Sequence, residues 1–445
     1  MDRLPVELLS LVATYLQRWN IAPQPFSHLT ETSECGTVGW LTHTSLSRRD
    51  ICSFRLVCQK CHSSSLRTFG ELLGDRVFRW TKVGMKDIQA LSDHAPLKPY
   101  IRTLTFGNAQ FKNRDNYALQ MGSLAYPDAQ RKRLLRAYAD YYQWQLDHDG
   151  NYYDKAISVV LANLPNLRNL RLLISDAPDV HLGGWLSAED KESDALVRLN
   201  DFVSESDESI YDSGQGVIER LSSLIVALEE TVLRIEDFRI GCGYAVHPLN
   251  LCNWMIPRSM LHVRHLRFDI DPENLGEDSP NATFEENVLS ELSDLESLSL
   301  SLVHDAAFTQ FAKATADLVM LLRNLSCLEK LTVRGEWSYT ENDLFALVDD
   351  CESLKTLVLK GPILLEGSWT SVVERVLATR SSTLQHFQLS SMSFRQPNTK
   401  ITPAFDGAPW QDFIGDVRPS IEEHGKCTVY LSSGDYGYVF RPSQR

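Results

Sequence analysis

The residues with the most chemical potential at their spacing are Cys58-Gln59-Lys60-Cys61-His62, two thiols three positions apart with an imidazole beside the second. That is the pattern of c-type haem attachment, in which the thiols add to vinyl groups and the histidine ligates iron. Attachment requires export, and the opening MDRLPVELLSLV has an acid and a proline where a secretion signal needs a basic end and an unbroken apolar run. No second axial ligand can be picked out. Structural zinc usually shows two ligand pairs. Cys35, Cys52, Cys58, Cys61 and His62 lie close in sequence, but only one pair has ligand spacing. The pentapeptide therefore reads as a helix face. The chain has no phosphate-cradling Gly-rich loop, no nucleophile elbow and no two-His pair on one helix face, and its 12 histidines are dispersed, with His265 and His386 on expected strands as solvated side chains. No catalytic residue, metal or cofactor is expected, and the chain does not read as an enzyme.

The elements that carry these residues are two short amphipathic segments. Leu4 to Leu16 reads as a helix, with Pro5 at its start and Glu7 in its first turn, both suited to a helix N-terminus. Leu8, Leu9, Val12, Tyr15 and Leu16 recur at spacings of three and four. The stripe is wide for so short a helix, which must bury that face against something. Asp50 to Ser65 is the second segment, capped by Asp50, with Ile51, Phe54, Leu56, Val57 and Cys58 apolar. Between them, Arg18 to Ser47 is polar and reads as a loop or small insertion.

LPVELLSLVATYL and RRDICSFRLVCQKC resemble the two halves of an F-box, in that order. Leu4, Pro5, Glu7, Leu8, Leu9, Tyr15 and Leu16 match the first half; Asp50, Ile51, Phe54, Arg55, Leu56, Val57, Cys58 and Lys60 match the second. The chain departs from the family in its long insertion and in Cys61, which stands where a bulky aromatic is common. The resemblance implies a three-helix module that binds the Skp-family linker protein, which in turn binds a cullin. It also implies that Leu4, Pro5, Glu7, Leu8, Leu9, Val12, Leu16, Ile51, Phe54, Leu56, Val57 and Cys58 form the linker-binding set. A module this small leaves apolar surface for a partner groove to cover.

The rest of the chain repeats one unit: an apolar residue, then apolar residues three and five positions on. It occurs at Ile101-Leu104-Phe106, Leu167-Leu170-Leu172, Ile235-Phe238-Ile240, Val263-Leu266-Phe268, Leu295-Leu298-Leu300, Leu328-Leu331-Val333, Leu354-Leu357-Leu359 and Leu384-Phe387-Leu389. The last two residues of each triple share a strand face. From Phe238 through Leu266, Leu298, Leu331 and Leu357 to Phe387 the steps are 28, 32, 33, 26 and 30 positions, near the upper end of the leucine-rich range of roughly 20–29. Helices are expected between the triples at Phe308 to Leu325, Glu341 to Asp350 and Trp369 to Thr379. The asparagine ladder of a regular leucine-rich repeat is absent. The fold class is therefore α+β overall: a small all-α F-box, then an irregular α/β leucine-rich-repeat-like solenoid. The expected boundaries are an F-box at 1–70 with its insertion at about 18–47, the solenoid at 71–393, and a C-terminal tail or cap at 394–445. Within the solenoid lie a helical insertion at 117–164, strongly helical from Gln130 to Leu164, and an acidic loop at 188–216; Asp271 to Asn287 has the same acidic character. Val429 and Leu431 read as a final edge strand.

The formal charge of −14 and the absence of any basic run argue against nucleic acid. No stretch approaches the roughly 20 apolar residues of a membrane span. The odd number of cysteines, with Cys242, Cys252, Cys327 and Cys351 in apolar segments as buried small residues, fits a reducing compartment, cytoplasmic or nuclear. The residues between the paired apolar positions, Thr105, Arg171, Arg239, Arg267, Ser299, Thr332, Val358 and Gln388, share the opposite, wet strand face. Arg171, Arg239 and Arg267, with Lys330 and Arg334 nearby, form a candidate surface for an acidic or phosphorylated protein client, because Arg pairs carboxylate and phosphate bidentately. Two function classes fit: the substrate-recognition adaptor of a Skp-cullin-F-box ubiquitin ligase, or a non-ligase interaction scaffold with leucine-rich repeats.

Overall fold

The computed structural model describes residues 4–18, 43–80, 82–107, 127–148, 151–173, 210–240, 258–270, 292–302, 325–335, 337–380, 383–395, 401–403, 408–423, 427–433 and 436–440. The fold mixes helix and strand, α+β in class, with extensive parallel sheet. It divides into two compact units, residues up to 240 with 258–260, and residues 261 onward.

The first unit opens with α1 (Val6–Tyr15), α2 (Ser45–Arg55), α3 (Gln59–Ser64) and α4 (Leu66–Leu73). The single helix expected from Asp50 to Ser65 is thus two helices, broken at Leu56–Cys58. Its start lies earlier, where the Thr44 hydroxyl accepts from Ser47 N at 3.1 Å and caps α2. Then follow β1 (Val77–Arg79), α5 (Lys82–Asp93), β2 (Thr103–Gly107), α6 (Asp128–Asp147), α7 (Asn151–Ala162), β3 (Asn169–Leu173), α8 (Ile210–Glu229) and β4 (Asp237–Ile240). The strands pair in the order β1–β2–β3–β4, all parallel. Parallel neighbours need crossover connections, and the helices supply them. The expected helical stretch Gln130–Leu164 is α6 and α7. The acidic loop lies outside the described residues except at its end, where Ile210–Gly216 is the first part of α8. Trp80 joins the layers: its ring sits 5.4 Å from Phe106 of β2 and 5.2 Å from Tyr153 of α7, and the Tyr153 hydroxyl donates to Trp80 O at 3.0 Å.

The second unit holds β5 (His265–Ile270), β6 (Ser297–Leu302), β7 (Lys330–Arg334), β8 (Ser338–Thr340), α9 (Glu341–Asp350), β9 (Thr356–Lys360), β10 (Ile363–Glu366) and α10 (Trp369–Arg380). It continues with β11 (His386–Ser390), β12 (Ser393–Arg395), β13 (Ile401–Pro403), α11 (Ala408–Glu423), β14 (Thr428–Ser433) and β15 (Tyr436–Phe440). Parallel pairing runs β5–β6–β7–β9–β11–β14, and β15 closes the row antiparallel. Val429 and Leu431 do extend the pattern, in register with Phe387 and Leu389, but the edge belongs to β15. Helices α9 and α10 lie side by side, and Arg380 donates to the Val348 and Asp349 carbonyls at 2.6 and 2.7 Å, satisfying the open end of α9. The helix expected at Phe308–Leu325 lies outside the described residues except for Leu325, as do Asp271–Asn287, Cys35, Cys242 and Cys252.

The apolar triples form the core. Leu104, Leu170 and Phe238 lie in register in the first unit, and Leu266, Leu298, Leu331, Leu357, Phe387 and Val429 in the second; all are buried. The strand entries at β3, β6, β7 and β11 are each tied by one main-chain acceptor. The carbonyl of the residue before a strand takes the N–H groups of two residues at the next strand's start. Arg102 O, Arg264 O, Glu296 O and Lys355 O accept such pairs at 2.8–3.1 Å.

Sequence reading missed a second, smaller sheet. β8, β10 and β12 pair in parallel, and β13 adds antiparallel. Each follows a main strand after a tight turn through a left-handed residue: Gly335 (φ 94°), Gly361 (φ 74°) and Ser391 (φ 54°). The turns stack, Gly335 N donating to Lys360 O at 2.9 Å, Gly361 N to Ser390 O at 2.8 Å and Ser391 N to Ser432 O at 3.0 Å.

Candidate functional site

Helix α1 is apolar around most of its circumference, and only one stripe is used internally. Leu9 and Ala13, with half-buried Leu16, are four and three residues apart and so share a face. They pack on Phe54 of α2 and Cys61 of α3, with Cys58 half-buried beside them. Polar contacts fix the seat: Ser10 Oγ donates to Ser64 O at 3.0 Å, and Gln17 Nε2 to Glu71 Oε2 at 2.7 Å.

Among the described residues the neighbouring stripe has no such cover. Leu8 is 48% exposed, Leu11 50%, Val12 41% and Tyr15 77%. At the α2–α3 corner Leu56 is 86% exposed and Val57 54%, although their backbone N–H groups are bonded to Ser53 O and Phe54 O. The corner backbone is satisfied while its apolar side chains project into water, an arrangement that costs stability unless something covers it.

Of the residues expected to dock, Leu4, Pro5, Glu7, Leu8, Val12, Leu56 and Val57 are exposed, and Leu16 and Cys58 half-buried. Leu9, Ile51 and Phe54 are buried, so they support the face and cannot themselves touch a partner. Val6, Leu11 and Leu46 are exposed apolar residues that sequence reading left out of the set. Their hydrophobic type was legible; their outward direction was not.

The long insertion closes at its base. Thr44 N donates to Arg18 O at 2.7 Å and Arg18 N to Ser47 Oγ at 3.0 Å, so the chain leaves α1 and enters α2 at adjoining points. His43, the residue before the cap, is buried, and both its main-chain N and its Nδ1 lie 2.6 Å from Asp75 Oδ2 beyond α4.

The Cys58–His62 motif is bound up in the same packing. Cys61 is in the core, and His62 Nε2 lies 2.8 Å from the Arg55 guanidinium, which also covers the Phe69 ring. Burial, then the charges of Arg55 and His94, hold the His62 imidazole below its ordinary range. Among the described residues no group of three or more His, Cys, Asp or Glu is arranged to hold a metal. Cys351 is buried as expected, whereas Cys327 is exposed.

The strand face expected to be wet is drier than its polarity suggests. Thr105, Thr332, Val358 and Gln388 are buried, and Thr105 Oγ1 donates to Gly74 O at the end of α4. His386 is half-buried, and its imidazole is pushed down chiefly by that burial. The candidate client residues fall into separate groups. Arg171 and Arg239 are register partners in the first unit, where Arg239 is gripped by Asp237 through bonds of 2.6 and 2.7 Å. Burial brings the Arg171 guanidinium down to about 10, against the pull of Asp237 and with the push of Arg239. In the second unit Lys330 and Arg334 share one strand face, with Arg334 in register with Lys360. Arg267 pairs with Ser299 on β6, so a strand stands between it and that group. Among the described residues no helix is long and apolar enough to cross a membrane.

Compared with known proteins, the chain matches no family model and no curated protein.

Proposed function

We propose that this chain is an F-box protein, the non-catalytic substrate-recognition adaptor of a Skp-cullin-F-box ubiquitin ligase, acting in the cytoplasm or nucleus. The single observation that carries this reading is the exposed stripe Leu8, Leu11, Val12 and Tyr15 on a helix whose other stripe is already sealed. In this reading the Skp-family linker covers that stripe together with Leu56 and Val57, and through the linker the chain reaches a cullin. The hydrogen-bonded base of the insertion supports it, because the two F-box halves pack together despite the residues between them. The repeated strands that follow act as a leucine-rich-repeat-like solenoid that holds a protein client. Lys330 and Arg334, with Lys360, are the surface proposed for an acidic or phosphorylated segment of it.

The test is titration of the full chain with a purified Skp-family linker. Leu8→Glu is expected to weaken binding at least roughly tenfold, since an unpaired charge in a buried contact costs about 2 kcal/mol or more. Leu8 has no part in the internal core, so the variant keeps its fold by circular dichroism. Binding indifferent to Leu8→Glu overturns this docking mode. A folded wild-type chain that binds no linker leaves the non-ligase interaction scaffold as the reading.

A further inference from the structure

The Cys58–Cys61 pair has a chemistry that linker docking does not use. Cys58 is the residue before the first of α3 and Cys61 is the third within it, so both thiols belong to one turn. The Cys58 thiol donates to Cys61 Sγ at 3.5 Å. A disulfide places its sulfurs about 2.05 Å apart, so closure asks for a movement of only about 1.5 Å. Exposure orders the two sulfurs. Cys58 is half-buried next to exposed Val57 and Gln59, while Cys61 is fully buried behind it. A reagent from solvent meets Cys58 first, and Cys61 is in place to resolve the product.

We propose that Cys58 and Cys61 form a reversible dithiol–disulfide pair that exchanges with glutathione disulfide. The Cys58 thiolate attacks one sulfur of glutathione disulfide, forming a mixed disulfide and expelling one glutathione, which takes up the proton Cys58 released. The Cys61 sulfur then attacks the Cys58 sulfur. The bond to the second glutathione breaks, and that glutathione leaves with the Cys61 proton. The protein loses two electrons and two protons, and one glutathione disulfide becomes two glutathiones. The bond forms inside the cluster that seats Leu9 and Ala13, so the redox state of this turn is written into the packing under α1.

Trypsin cuts after Arg55, Lys60 and Arg67, so this disulfide is read as the peptides Leu56–Lys60 and Cys61–Arg67 joined by one bond. The full chain is equilibrated in glutathione buffers of increasing disulfide fraction, alkylated, digested and weighed by mass spectrometry. The expected result is a joined pair that grows with the disulfide fraction, vanishes with dithiothreitol and is missing from Cys61→Ser, in which Cys58 carries a single glutathione instead. Alkylated, unjoined peptides across the whole series, with exposed Cys327 glutathionylated in the same sample, overturn the proposal. The wild-type chain alone decides, without any linker, so failure here is distinct from failure of the docking reading.

Discussion

Helix α1 and the strand row of the second unit are both rich in leucine, yet they treat it differently. On β6, β7 and β9 the second and third apolar positions of each triple have counterparts on the adjacent strand, and Leu298, Leu331 and Leu357 are buried in one continuous row. Repetition supplies its own cover. Helix α1 has one neighbour layer, Phe54 and Cys61, and seals only Leu9 and Ala13. Its remaining apolar side chains stay in water. The comparison separates leucines that hold the fold together from leucines that hold something else.

Substitutions can break that comparison, beginning where the row is deepest. Phe387→Ala empties a fully buried site between Leu357 and Val429 and is expected to cost about 3–5 kcal/mol, read as a lower urea midpoint. Adjacent positions on α1 should then diverge: Leu9→Ala is expected to cost about 2–5 kcal/mol, whereas Leu8→Ala stays within about 0.5 kcal/mol of the parent. Equal losses at the two positions would mean that the Leu8 stripe is covered in solution by the chain itself. A loss below that at Leu9 is expected at the turn stack. Gly361→Ala forces a side chain into a φ of 74°, with its Cβ 3.2 Å from Gly335 O, and should cost about 1–2 kcal/mol in the same denaturation assay.

Much of the strand framework was legible because its signal is simple. Apolar residues two apart, repeated at a drifting interval, have few folded solutions, and the described partners fall in register as that pattern requires. Helices α9 and α10 were legible for a similar reason, with Thr340 and Asp343 forming a capping box at the start of α9. The small sheet was not, because β8 and β12 have only three residues each and alternation needs more to show. Its trace in the sequence was the turn glycine after β7 and β9. The break at Leu56–Cys58 was hidden because an apolar run suits a helix as well as a corner. At the candidate site the residue types were readable and their directions were not. When two stripes of one helix are both apolar, periodicity cannot choose which turns inward; Phe54 and Cys61, distant in sequence, make that choice. Burial of Thr332 and Gln388 was likewise invisible, since neither residue type announces what lies above it.

The paired acceptance of two N–H groups by Arg102, Arg264, Glu296 and Lys355 has a consequence for how this architecture tolerates change. A carbonyl is common to every amino acid, so spacing between successive strands is enforced by an atom that mutation cannot remove. The side chain at that position takes no part in this bond, and the chain places arginine, glutamate and lysine there. A scaffold stitched in this way can lose its consensus letters while keeping its shape.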